Sequence, residues 1–186
     1  VLDGRDTLTT LRYESWEEQV AYIPQDPTIF HASLRENLTF YNPQASDEHL
    51  HAVIEKLGLS ELLVQLPQGL DTLIGEGARG LSGGQAQRIA LARVVLDERK
   101  RIILFDEPTA HLDIETEMEL KQAMVEVMQE RLVVFATHRL HWLDTLDYLL
   151  VLEEGKLVEQ GTTTQLLEST THFATLVRAL CGGEAA

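Results

Sequence analysis

Cysteine, basic charge and long apolar runs are all scarce in this 186-residue chain. The single cysteine, Cys181, can neither close an internal disulfide nor supply a thiolate zinc cluster, which fits a reducing compartment. Only 15 Lys and Arg stand against 30 Asp and Glu, and the resulting net charge of -15 would repel a phosphate backbone, so nucleic acid is not an expected partner. The longest apolar stretches, Leu132 to Ala136 and Tyr148 to Leu152, fall far short of the roughly 20 residues that a membrane-crossing helix needs. The chain opens on Val1-Leu2-Asp3-Gly4 with no Met and no basic leader; this reads as a strand end entering an Asp-Gly turn, so a start in mid-domain is expected. What is present is 44% hydrophobic residues over a length that suits one core, or part of one.

Val20-Ala21-Tyr22-Ile23 predicts a buried strand, ended by Pro24 and followed by a loop at Gln25-Asp26-Pro27. Ser33-Leu34-Arg35-Glu36 fits a capping box, Ser46 precedes a helical stretch from Asp47 to Leu57 that Gly58 stops, and Ser60 to Leu66 predicts a further short helix before Pro67. A helical subdomain is therefore expected over about residues 26–97, inserted between α/β core segments at 1–25 and 98–186. Ile102 to Phe105 and Leu132 to Ala136 are continuous apolar runs, as for parallel strands covered on both faces, with a helix from about Asp113 to Gln129 between them. A hairpin over Asp147 to Leu152 and Lys156 to Glu159, then helices near Thr164 to Glu168 and His172 to Leu180, complete the reading.

Leu81-Ser82-Gly83-Gly84-Gln85 precedes the amphipathic run Ala86 to Leu96, so a hydroxyl and two glycines sit at a helix start. Free N–H groups and the helix dipole make such a start attractive to anions, and glycines let a phosphate approach without a Cβ in the way. Read blandly, it is a Gly-rich turn. Ile102 to Pro108 delivers Asp106 and Glu107 at the carboxyl end of a strand, where ligands of open α/β sheets bind. The first carboxylate suits Mg²⁺, and the second suits orienting or deprotonating a water, because phosphoryl transfer depends on positioning and charge compensation. An acidic pair at a strand end is also structurally ordinary. His138 follows the next strand and Gln25 follows the first; each alone has bland explanations.

Order and spacing together decide between these readings. Gln25, Leu81 to Gln85, Ile102 to Glu107, Ala110-His111-Leu112-Asp113 and His138 resemble, in sequence order, the Q-loop, signature, Walker B, D-loop and H-loop of ATP-binding cassette (ABC) proteins. The resemblance spans essentially the whole chain. It implies ATP and Mg²⁺ as cofactors, with Asp106 and Gln25 on the metal side, Glu107 as general base and His138 at the γ-phosphate. Ser82, Gly83, Gly84, Gln85 and Asp113 would face nucleotide. The fold implied is α/β, a P-loop NTPase-like ABC ATPase domain without its N-terminal Walker A part and with an inserted α-helical subdomain. Thr72-Leu73-Ile74-Gly75-Glu76-Gly77 resembles the exporter loop that meets the membrane domain.

Leu66 to Thr72, Gln85-Ala86-Gln87-Arg88, Ala110 to Glu117 and Phe135 to Leu140 are most similar to CydD-type subunits of the heterodimeric CydDC exporters. That implies export of cysteine or glutathione and support of cytochrome bd assembly. It also implies a transmembrane domain on the same full-length chain, a CydC-like second subunit closing the ATP sandwich, and a place on the cytoplasmic face of the membrane. Two features depart from the family. No G-x-x-x-x-G-K-[ST] occurs, since Gly155-Lys156 is followed by Leu157, so the chain by itself is expected to be inactive. His111 stands where family members commonly carry a small residue. The alternatives are a soluble ABC ATPase, an exporter of another substrate, or an interaction module that offers Ser82 to Gln85 to a partner's ATP.

Overall fold

The computed structural model describes residues 13–75, 80–168, 173–175 and 177–178. The chain divides into two compact units, one ending at Ala136 and the other starting at Thr137. The turn read at Asp3-Gly4, residues Glu76 and Gly77 of the exporter-like loop, and Cys181 lie outside the described residues.

In the first unit, helix α1 (Tyr13–Gln19), which the sequence reading did not anticipate, runs directly into strand β1 (Val20–Ile23). Strand β2 (Ala32–Ser33) leads into α2 (Leu34–Leu38), where Ser33 and Glu36 form the expected capping box. Helix α3 (Asp47–Lys56) starts on the Ser46 cap and ends at Gly58, whose φ of 66° is the left-handed geometry glycine supplies without strain. It buries Leu50, Val53 and Ile54, spaced at i, i+3 and i+4. After α4 (Ser60–Gln65) and a 3-10 turn at Gly69–Asp71 comes β3 (Leu73–Ile74), which pairs antiparallel with β2 as Ala32 to Ile74 and Ser33 to Leu73. Two-residue strands have no periodicity, so this pair was invisible in the sequence. Helix α5 (Gly83–Val95) then packs on α6 (Ile114–Met128), and Arg88 ties both to α3 through the Leu57 carbonyl at 2.9 Å and Glu119 at 3.0 Å.

Strand β4 (Ile102–Asp106) lies between β1 and β5 (Leu132–Ala136) in a parallel sheet. The register sets Tyr22 beside Leu104 and Asp106 beside Ala136. The expectation of cover on both faces is corrected within the described residues. Ala21, Ile23, Ile103 and Phe105 are buried, whereas Tyr22, Leu132 and Val134 are 52%, 60% and 55% exposed. The strands alternate between a covered and an open side because successive side chains point to opposite faces. No helix among the described residues is long and apolar enough to cross a membrane.

In the second unit, a 3-10 segment at Leu140–Thr145 precedes the antiparallel hairpin of β6 (Leu149–Glu153) and β7 (Lys156–Gly161). Glu154 and Gly155 turn it with φ of 48° and 74°, the left-handed pair that tight hairpins favour. Helix α7 (Thr163–Glu168) follows, and Leu149, Leu166 and Phe173 make a small core with Leu143, Leu146, Val151 and Val177 against it.

Candidate functional site

The start of α5 is held by its own residues. Ser82 Oγ accepts from the Gln85 N–H at 3.2 Å, while the Ser82 N–H donates to Gln85 Oε1 at 3.0 Å. This reciprocal box engages the Gln85 N–H and leaves those of Gly83 and Gly84 outside it. Ser82 and Gly83 are exposed, but Gly84 is buried. A Cβ on Gly84 would sit 2.6 Å from Thr116 Cγ2, and one on Gly83 would sit 3.2 Å from Leu112 Cδ2. The glycines thus have a cause beyond phosphate access: Gly84 lets the first turns of α5 and α6 touch.

The acid pair is built by distant partners. Asp106 is exposed at the carboxyl end of β4, and Tyr22 of β1 donates its phenol proton to Asp106 Oδ2 at 2.7 Å. That bond is the leading cause of the phenol's pKa standing above its ordinary value. Glu107 adopts φ of 43°, a left-handed conformation costing a non-glycine residue about 1–3 kcal/mol, and its N–H donates to the Ala136 carbonyl at 2.9 Å. The ladder therefore continues one residue beyond β4 while the backbone turns, and the two carboxylates leave the strand end in different directions from those of a continuing strand.

Gln25 meets two other motifs. Its backbone carbonyl accepts from the buried Gln87 of α5 at 3.0 Å, and its side-chain Nε2 lies 2.9 Å from His111 Nε2. Asp26 stands 3.7 Å from the same imidazole nitrogen. Two residues on, Asp113 caps α6, accepting the Thr116 N–H at 2.9 Å and the Thr116 hydroxyl at 2.8 Å. The backbone hydrogen bond leads in lowering the Asp113 pKa, so both carboxylate oxygens serve the helix start. His138 is exposed and belongs to the second unit, next to Thr137, whose Oγ1 accepts from the Arg139 N–H at 3.0 Å.

The sequence reading missed several residues that support these loops. Tyr22 could have been noticed from its place on the strand that precedes Gln25. Gln87 and Arg93 give no pattern, because their role depends on carbonyls more than 50 positions away. Arg93 is buried with its guanidinium donating to the Asn37 carbonyl at 2.7 Å and the Thr28 carbonyl at 2.9 Å, and it lies over Phe30 and Phe40; burial lowers its pKa. The buried Glu117 accepts from the Thr109 hydroxyl and anchors the chain just after Glu107 and Pro108 to α6.

The donor set suits a hard cation, with carboxylate oxygen from Asp106 and amide oxygen from Gln25. Among the described residues no three His, Cys, Asp or Glu side chains converge as a metal cage. Mg²⁺ takes one or two protein oxygens together with phosphate oxygens and water. One unit thus carries a parallel sheet that ends in an acid pair, a Gly-Gly helix start and an amide-bearing loop. The ABC transporter family profile matches residues 1–110, and the chain belongs to that family. It is 50% identical over 171 residues to the glutathione/L-cysteine transport system ATP-binding/permease protein CydC of Bacillus subtilis, covering 92% of this chain and 30% of that protein. It is 36% identical over 170 residues to the corresponding CydD of Escherichia coli, covering 91% of this chain and 29% of that protein. A bacterial Atm1-family ABC exporter with ATP bound superposes with a TM-score of 0.80 at 31% identity, over 96% of this chain and 30% of that one. The chain thus spans about 30% of these relatives, and its likeness extends to both CydC and CydD, where the sequence motifs pointed to CydD.

Proposed function

We propose that this chain is part of the ATP-hydrolysing domain of a membrane exporter of CydDC type, which moves a thiol such as cysteine or glutathione across the cytoplasmic membrane and supports cytochrome bd assembly. The observation that carries the ATPase reading is the acid pair at the end of β4: Asp106 oriented by Tyr22, and Glu107 turned out of the strand at a left-handed φ. The 50% identity to a CydC over 92% of the chain supports the thiol cargo. In this reading the partners are a transmembrane domain on the full-length chain and the other subunit of the pair, with no nucleic acid, on the cytoplasmic face of the membrane. Residues 26–97 form the helical, signature-bearing subdomain.

Asp106 and Gln25 would hold Mg²⁺, which when bound offsets the charge of the triphosphate. Glu107 positions the attacking water and takes its proton as the water adds to the terminal phosphorus and ADP leaves. His138 donates toward the terminal phosphate of the same subunit's nucleotide. Ser82 and the Gly83 N–H face nucleotide held by the partner subunit, where the start of α5 favours negative charge. Asp113 acts by fixing the start of α6 beside that interface.

The test is transport by the full-length protein with its partner subunit in inside-out vesicles. ATP-dependent accumulation of labelled glutathione or cysteine, lost in Glu107→Gln, is the expected result. ATP turnover without thiol movement would remove the cargo assignment and leave an exporter of another substrate. Undiminished turnover in Glu107→Gln would remove the role of Glu107.

A further inference from the structure

His111 is the residue in the D-loop that the motif comparison left unexplained, and it is also the one that touches Gln25. The contact joins side chains 86 positions apart at 2.9 Å. A glutamine amide presents two different ends, an NH₂ that only donates and an oxygen that only accepts. A hard cation accepts only the oxygen as a ligand. In this contact the amide nitrogen is the end turned to His111 Nε2, and it can only donate. That arrangement fixes which end of Gln25 faces the D-loop and leaves Oε1 out of the contact. The backbone of Gln25 is held separately, by Gln87 of α5 on its carbonyl at 3.0 Å. Main chain and side chain are thus fastened from two elements, the signature helix and the D-loop.

We infer that His111 is a positioning residue for Gln25: it sets the orientation of the side-chain amide, so that Oε1 is presented to the metal side and the D-loop and Q-loop move together. The inference rests on the ATPase reading above and goes beyond it in giving the D-loop a role within its own subunit. The imidazole is 59% exposed, so the contact is a modest one and its effect is on orientation.

Two measurements test it. In the 186-residue chain, selective ¹⁵N labelling of glutamine, with Gln25→Ala used for assignment, should show the Gln25 side-chain amide signals shifting in His111→Ala while those of Gln85 and Gln87 stay in place. In the full-length protein with its partner, His111→Ala should lower kcat about fivefold with KM for ATP unchanged, the scale of one net hydrogen bond. His111→Asn, which keeps an acceptor, should recover part of that loss. In a Gln25→Ala background His111→Ala should add nothing, whereas a merely structural D-loop defect would multiply. Unmoved Gln25 signals, or losses that multiply while Glu107→Gln still abolishes turnover, overturn this inference alone. Turnover that survives Glu107→Gln overturns the role of Glu107 in the reading on which this inference rests, and is thereby told apart from failure of the inference alone.

Discussion

The start of α5 and the end of β4 are both offered to the same chemistry, yet they are made in opposite ways. At Ser82 the capping bonds come from within three residues: Ser82 engages the Gln85 N–H and Gln85 engages the Ser82 N–H. At Asp106 and Glu107 the shaping partners are Tyr22, 84 positions back, and Ala136 across the sheet. A local motif survives almost any disturbance of the remainder of the fold. A strand end persists only while its neighbours stay in register, and a left-handed Glu107 needs that surrounding order to stay populated. The difference predicts that damage to the sheet should abolish chemistry, whereas damage at the helix start should act across the subunit interface.

The largest expected effect is at the strand end. Glu107→Gln in the full-length protein should preserve ATP binding and slow turnover by about 10²-fold or more, the scale of a lost general base. Single-turnover measurements with labelled ATP would separate this from weakened binding, and full turnover would remove the role of Glu107 as the general base. Next comes the contact between α5 and α6. Gly84→Val would force a side chain into space held by Thr116 Cγ2, 2.6 Å from an added Cβ. Urea unfolding should show a loss of about 2 kcal/mol, as for overpacking, and Thr116→Ser in the same chain should restore part of it. Unchanged stability would show that Gly84 is there for ligand access alone.

A smaller effect is expected from the helix start itself. Ser82→Glu places a carboxylate where the reading above puts a partner's phosphate. Nucleotide trapping opposite the partner's Walker A should fall about tenfold, the scale of an unfavourable charge at a partly exposed site, and this subunit's own site should be spared. Photolabelling with an ATP analogue distinguishes the two. Loss confined to this subunit's own site would end the assignment of Leu81 to Gln85 as a surface that acts in trans.

The same contrast explains what could be read from the chain. The capping box at Ser33, the helix start at Ser82, the Ser46 cap and the glycine stop at Gly58 were legible because their physics closes within a turn of helix. Helix α6 appears within one residue of its expected ends, with Asp113 as its cap. The acid pair was visible as residue types, and its position at the end of β4 followed from the apolar run before it. Not legible were the phenol on Asp106, the imidazole on Gln25 and the open face at Tyr22, Leu132 and Val134. Each depends on which strands lie side by side, and an apolar run of four or five residues looks the same with one face covered as with two. Gly84 was read for ligand access because the sequence places no Thr116 beside it.

The smallest expected effect is also the most direct probe of how the sheet shapes the acid pair. Tyr22 is exposed, so removing its hydroxyl in Tyr22→Phe should leave unfolding stability within about 0.5 kcal/mol of the parent, as for a surface substitution. Its titration is the sensitive readout. The hydrogen bond to Asp106 raises the phenol pKa above 10.0, since ionising Tyr22 would both break that bond and set two negative charges side by side. A group whose folded pKa is raised stabilises the fold fully below its unfolded pKa and loses that contribution as pH rises through the folded value. The contribution of Tyr22 is therefore intact at neutral pH and lost only in the alkaline range above 10. Of the four tyrosines, Tyr41 is also raised, in its case mainly by burial, so the total absorbance titration near 295 nm cannot be assigned without the variant. Subtracting the Tyr22→Phe titration from that of the parent should leave a single phenolate component with a midpoint above 10, and Asp106→Asn should bring that component down toward the ordinary value. A Tyr22 midpoint at the ordinary value in the parent would mean that the strand pairing of β1 with β4 does not orient Asp106, and the acid pair would then owe its geometry to Ala136 and the left-handed turn alone.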